Sequence, residues 1–198
     1  MHGGGTTTWL GLANKGLFEP AEIQWGGWGG RFSWTYEQSE GYSFTQFSGV
    51  SGTVEYGVPD FAPLWRWRDA YTRDFQARMD WCVAGYGHAN HHPVAVFMGD
   101  RRRTVCRLRA RAGEVFDLDA SQSFDPDGDA LDYAWYTYPE AGTYEDPPAP
   151  TGSTEATARF AVPSDAAGTQ LHVVLEVTDR SAICPLSSYR RIVIDVTD

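Results

Sequence analysis

The 198-residue chain lacks a basic surplus: 16 Lys and Arg stand against 26 Asp and Glu, a formal net charge of -10. Without cationic excess it cannot displace counterions from a phosphate backbone, so nucleic acid is not an expected partner. Its one basic run, Arg101 to Arg103 followed by Arg107, Arg109 and Arg111, reads as the solvated face of a strand. Cysteine is scarce as well. Cys82, Cys106 and Cys184 form an odd set without a CxxC pair, which indicates neither a zinc site nor a disulfide framework and leaves a Cys106–Cys184 bridge open. No apolar run approaches the roughly 20 residues that span a bilayer, so no membrane partner is expected. The opening MHGGGTTTWLGL has no charged n-region and no apolar h-region, hence no visible export signal. On that reading the chain is cytoplasmic or its beginning is missing.

Aromatic residues are abundant, 14% of the chain with 8 Trp. They concentrate in EIQWGGWGGRFSW, residues 22–34, which admits two readings. Tryptophans at this spacing on an extended chain present flat faces about 7 to 13 Å apart, a range that suits a β-linked glucan. Aromatic rings also carry the largest apolar burial, and glycines serve where backbone turns tightly or approaches another segment. The packed turn is favoured.

Composition divides the chain. Residues 1 to about 61 are rich in Gly, Thr, Ser and aromatics without sustained periodicity, which reads as loops and short extended pieces. A helix is expected over about 63–84, with Leu64, Trp67, Tyr71, Phe75, Met79 and Cys82 on its apolar side and Asp69, Arg73, Asp74 and Asp80 among the residues opposite. Asp60 is placed to cap it, Pro63 lies in its first turn and Gly85 at its end. GYGHANHHP reads as a linker. Beyond it, alternating runs at about 94–98, 104–110, 114–119, 130–138, 156–162, 171–178 and 189–196 predict an antiparallel β-sandwich of immunoglobulin type. The chain is therefore expected to be mainly β, with Tyr133 and Trp135 in the sandwich core.

Candidate chemistry is sparse. LDASQSFDPDGDALDYAWY resembles the signature of PKD-like modules, in which Pro126 and Gly128 make a tight turn and the aspartates bond nearby amides. Asp125, Asp127 and Asp129 also offer hard oxygens at alternating positions, so calcium stays open beside the structural turn, although an EF-hand's further ligands are absent. His88, His91 and His92 lack evident carboxylate partners and read as linker. Glu140, Glu145 and Asp146 read as loop residues rather than a glycosidase pair. No catalytic residue is assigned.

Five motifs in order, EIQWGGWGGRF, FQARMDWCVA, ANHHPVAV, LDASQSFDPDGD and YPEAGTYEDP, resemble the carboxyl-terminal half of bacterial cellulose-binding proteins that couple a nucleoside-hydrolase-like domain to an immunoglobulin-like domain. The resemblance implies that residues 1–90 are the tail of the hydrolase-like domain and 91–198 the β-sandwich, with a contact between the two. It implies that Trp25 and Trp28 are packed, with Arg31 tying the glycine turn down. Nucleoside hydrolases hold calcium with an aspartate cluster near their amino terminus. No such cluster precedes Trp9, and GGGTTT has Gly5 and Thr7 where relatives carry an acidic residue and a proline. Binding of plant cell-wall polysaccharide outside the cell or in the periplasm is thus expected, without a cofactor unless calcium occupies the acidic turn. The alternatives are a remnant of a glycosidic-bond hydrolase whose metal site lies elsewhere, and a structural spacer. For the sugar contact the alternation of the strand sends Tyr136 and Tyr138 away from the core. Glu140 and Tyr144 follow them, and the other use of this face is an interface with the preceding domain.

Overall fold

The computed structural model describes residues 10, 11, 13, 15–39, 42–49 and 62–198, with 33–39, 42–49 and 62 described by backbone alone. Expectations on Gly5, Thr7, Trp9 and Asp60 lie outside the described residues. Two compact units emerge: Met1–Asn14 with Phe18–Asp69, and Lys15–Leu17 with Ala70–Asp198.

In the first unit the glycine-rich stretch makes a packed turn. Ile23–Trp25 form a single 3-10 turn, and Gly27 and Gly30 exchange backbone hydrogen bonds of 3.2 and 2.8 Å. Trp25 and Trp28 are both buried, Trp28 at 2% exposure. Gly26 has a φ of 73°, the left-handed region where a side chain is strained. A Cβ there would lie 2.9 Å from the Gly30 carbonyl oxygen and 2.5 Å from the Arg31 Cγ. The Arg31 Nε donates to the Gln24 carbonyl at 2.8 Å, which closes the turn as expected. The chain continues into an antiparallel hairpin, β1 (Phe32–Ser39) and β2 (Tyr42–Gly49), in register from Phe32 opposite Gly49 to Ser39 opposite Tyr42. The short helix α1 covers Ala62–Trp65.

The second unit carries all but the first two residues of helix α2 (Arg68–Val83) and strands β3 (Cys106–Arg111), β4 (Val115–Asp119), β5 (Leu131–Thr137), β6 (Thr157–Ala161), β7 (Gln170–Asp179) and β8 (Ser187–Thr197). The described residues are mainly β. One sheet runs β3-β8-β7-β5, and β4 pairs with β6 in another. Inward residues of both sheets, among them Leu118, Phe160, Trp135, Val173, Leu175, Ile192 and Ile194, share a single hydrophobic core. Trp135 donates its indole N–H to the Glu155 carbonyl at 2.9 Å and meets Phe97 edge to face, so the ring is buried without leaving its one donor unpaired.

Three expectations are corrected. The larger sheet is mixed rather than antiparallel, because β3 pairs parallel with β8 from Cys106 beside Ile192 to Arg111 beside Thr197. These strands lie far apart in sequence, so the long connection a parallel pair requires is present. Residues 94–98 form no strand. Val94 bridges Phe124, and Phe97 bridges Asp100 across a turn in which Met98 and Gly99 take φ of 47° and 81°.

The third correction concerns the helix. It breaks at Arg66–Trp67 into two pieces, and the buried side of α2 is Asp74 and Ala77, not the Phe75 and Met79 stripe. Phe75 is 59% exposed and Met79 also faces out. Ala77 and Trp81 pack on Cys184 and Leu186, in the segment joining β7 to β8. A small alanine lets helix and loop approach closely, and that contact together with the ion pairs of Asp74 prevails over the aromatic stripe.

Candidate functional site

At the exit of β5 the sequence places Tyr136, Tyr138, Glu140 and Tyr144. Tyr138 is 1% exposed. Its backbone N–H donates to the His172 carbonyl at 2.8 Å, and the Arg191 guanidinium stands 5.0 Å from its ring centroid. Arg191 is itself fully buried and donates from Nε to the Leu17 carbonyl at 2.9 Å. The ring of Tyr138 is therefore occupied by a buried cation. Tyr136 and Glu140 are half-buried, Glu140 within the 3-10 turn Pro139–Ala141. Tyr144 packs on the shared core and donates its hydroxyl to the Asp165 Oδ1 at 2.8 Å. Thr143 and Gln170 exchange bonds of 2.8 and 2.9 Å that fasten this loop to the start of β7. Tyr138 and Tyr144 thus pack on different neighbours, Arg191 and the intersheet core.

The acidic turn is occupied with its own backbone. The Asp125 Oδ1 accepts the N–H groups of Asp127 at 2.8 Å and Asp129 at 3.2 Å, with Gly128 at a φ of 85°. Both Asp127 oxygens serve His91: Oδ2 accepts its backbone N–H at 2.7 Å, and Oδ1 lies 2.9 Å from its Nδ1. Among the described residues no group of three His, Cys, Asp or Glu side chains could hold a metal ion.

His92 lies deeper than a linker residue would, which corrects its expected role. It belongs to a buried cluster that joins three distant pieces of chain. The His92 Nε2 is 2.6 Å from the Asp74 Oδ1 and 2.6 Å from the Lys15 Nζ, and Lys15 and Asp74 are 2.9 Å apart. The His92 Nδ1 is 3.0 Å from the Ser187 carbonyl; a carbonyl only accepts, so this nitrogen carries a proton. Arg78 pairs with the other Asp74 oxygen at 2.7 Å. Burial raises the Asp74 carboxyl, but its close contacts with His92 and Arg78 and the Lys15 charge outweigh it and hold it well below the usual carboxylate range. Burial lowers both Lys15 and His92, against the pull of Asp74. With all three groups shut from solvent, the arrangement acts as a clamp between α2, β8 and the Lys15–Leu17 segment.

That segment lies against β8. The Tyr189 and Arg191 N–H groups donate to the Lys15 and Gly16 carbonyls at 2.8 and 3.0 Å. Gly16 has a φ of 98°, and a Cβ would fall 1.9 Å from the Tyr189 carbonyl oxygen, so only glycine permits this approach. Sequence reasoning placed Asp74 on the solvent side and passed over Lys15 because a buried ion pair leaves no hydrophobic period. The available signal was Asp74 at three residues before Ala77 and seven before Trp81, one helical face. The bridge left open between Cys106 and Cys184 is not formed, and all three cysteines are free thiols.

Residues 115–196, from the start of β4 almost to the end of β8, match the family model described as the C-terminal domain of the cellulose-binding protein Sde0182. Over nearly its whole length the chain is similar to a solved structure, a nucleoside hydrolase-related hypothetical protein from Saccharophagus degradans that is associated with carbohydrate metabolism. The two are 37% identical with a TM-score of 0.83, over 97% of this chain and 47% of that one. This chain thus spans about half the length of that relative. No curated protein matches it. The resemblance carried by the sequence motifs, to a cellulose-binding protein and to a nucleoside-hydrolase relative, is met on both sides.

Proposed function

We propose that this chain binds plant cell-wall polysaccharide, cellulose first, outside the cell or in the periplasm, as the binding part of a larger protein. The observation that carries the reading is the match of residues 115–196 to the C-terminal domain of a cellulose-binding protein. The relative's association with carbohydrate metabolism supports it. Two sheets sharing one core support the immunoglobulin-like sandwich reading of the carboxyl-terminal part. By descent, residues 1–90 are assigned to the hydrolase-like domain. Tyr136, Glu140 and Tyr144 remain candidates for a sugar edge, while the buried Tyr138 supports them from within. Within the acidic turn the Asp125 carboxylate is assigned to backbone bonding and that of Asp127 to holding His91. The hydrolase-related relative favours a second reading, in which the whole protein cleaves a glycosidic bond with residues this chain does not supply. Depletion of the whole chain from solution by insoluble cellulose, xylan and chitin tests the proposal. Retention on cellulose is expected, and no retention on any of the three overturns it.

A further inference from the structure

The 3-10 turn Tyr86–His88 follows α2 and holds Tyr86 at 73% exposure. A tyrosine so open is ordinarily a loose ring, yet this one is backed. The His91 imidazole lies against it with ring centroids 3.8 Å apart and planes 28° apart. His91 is in turn nearly parallel to Trp81, at 10° and 6.1 Å. Trp81 is fixed by its indole N–H, which donates to the Asn90 carbonyl at 2.7 Å, and Asn90 is anchored through Nδ2 to Asp179 and to the Cys184 carbonyl at 3.0 and 2.8 Å. On its polar side His91 is gripped by both oxygens of Asp127, and Asp127 is positioned by the Asp125 turn. The acidic motif therefore has a task beyond closing its own turn, since it holds the ring that braces Tyr86.

We infer that the outer face of Tyr86 is a stacking platform for a pyranose ring of a neutral β-linked polysaccharide, with the part-exposed Asp127 carboxylate that holds His91 as its hydrogen-bonding edge. The inference rests on the polysaccharide reading above and moves its principal contact from the exit of β5 to the end of α2. One face of Tyr86 is covered by His91, and the 73% exposure leaves the other open to solvent. The apolar C–H face of a pyranose meets an aromatic ring flat, and its equatorial hydroxyls reach sideways, where acceptors and donors are needed. A ring already held in place loses little freedom on binding, which favours affinity over that of an unbraced tyrosine.

The test is binding of the whole chain to insoluble cellulose and to cellohexaose, with Tyr86→Ala, Tyr86→Phe and a Tyr136→Ala/Tyr144→Ala pair. Tyr86→Ala is expected to weaken binding at least tenfold with an unchanged melting temperature, because the removed ring is largely in water. Tyr86→Phe is expected to stay within about twofold, and the Tyr136/Tyr144 pair to weaken binding less than Tyr86→Ala does. Wild-type retention that Tyr86→Ala leaves intact overturns the platform alone, and the polysaccharide reading survives. A wild type that binds nothing overturns both. Equal losses in Tyr86→Phe and Tyr86→Ala overturn stacking as the cause. Tyr86→Ala that dissolves an oligomer while cellulose retention persists assigns the ring to protein contact, and that also overturns the proposal.

Discussion

Trp28 and the Lys15–Asp74–His92 cluster show two ways in which single residues hold this chain. Trp28 is buried to 2% in a turn whose shape depends on Gly26 and Arg31. Trp28→Ala is expected to cost about 3–5 kcal/mol in urea unfolding, the usual range for deleting a large buried aromatic; a loss under about 1 kcal/mol would mean the ring is not packed. The cluster responds to pH. Burial holds His92 below its ordinary value of 6.5, and Asp74 is held below 3.8 despite its burial. Both groups therefore bind protons at higher pH in the unfolded chain than in the folded one. The stability that His92 and Asp74 contribute is full above about pH 6.5 and falls on acidification through the His92 range and then that of Asp74. His92→Gln removes the upper part of that loss. Between about pH 8 and pH 4 the wild type should therefore lose stability relative to the variant. A difference independent of pH would rule the linkage out.

At the scale of elements, the strands were the most legible part. In β3 the arginines at 107, 109 and 111 face solvent while Cys106, Leu108 and Ala110 turn inward, the period of two that the sequence displays. β7 and β8 are buried on both faces, and the polar residues His172, Arg190 and Arg191 are taken inside with the apolar ones. The direction in which a strand pairs leaves no trace in its own residue pattern, which is why the β3–β8 pair was misjudged. The buried Arg190 and Arg191 were illegible for a related reason, since composition places arginine at the surface and only tertiary partners take it inside. Tyr136 and Tyr138, the candidate sugar contacts at the exit of β5, were placed by alternation, which says which side a ring leaves the strand and nothing of what covers that side. For α2 the legible stripe was the wrong one, and this gives a direct comparison. Phe75→Ser and Met79→Ser remove exposed side chains and are expected to change stability by less than about 0.5 kcal/mol. Ala77→Leu forces extra methyl groups against Cys184 and Leu186 and should cost about 1–3 kcal/mol by overpacking. Thermal melts of the three variants decide the orientation of the helix, and the reverse ranking would restore the stripe read from sequence.

For the molecule as a whole, the compact unit around the sheets includes chain that sequence alone would assign elsewhere. A cut at residue 93 follows the apparent linker, yet it removes Lys15–Leu17, α2, Asn90 and His92 from that unit. Asp179 would lose the Asn90 amide, and the Ser187 carbonyl would lose His92. The Tyr189 and Arg191 N–H groups would lose the Lys15 and Gly16 carbonyls, and the Arg191 guanidinium would lose Leu17. Cys184 and Leu186 would lose Ala77 and Trp81. Each buried polar group left without a partner costs about 1–3 kcal/mol where water cannot replace it. A set of this size therefore approaches the whole margin of a typical domain, about 5–15 kcal/mol. Newly admitted water would satisfy part of the backbone demand, but the apolar surface beneath α2 would stay exposed. Residues 93–198 alone are accordingly expected to show no cooperative transition in calorimetry under conditions where the whole chain melts sharply, and to expose hydrophobic surface to a reporter dye. A cooperative melt of the fragment at the temperature of the full chain would mean that the Lys15–Leu17 segment and α2 only rest on the sheets, and a boundary near residue 90 would then divide the chain by stability.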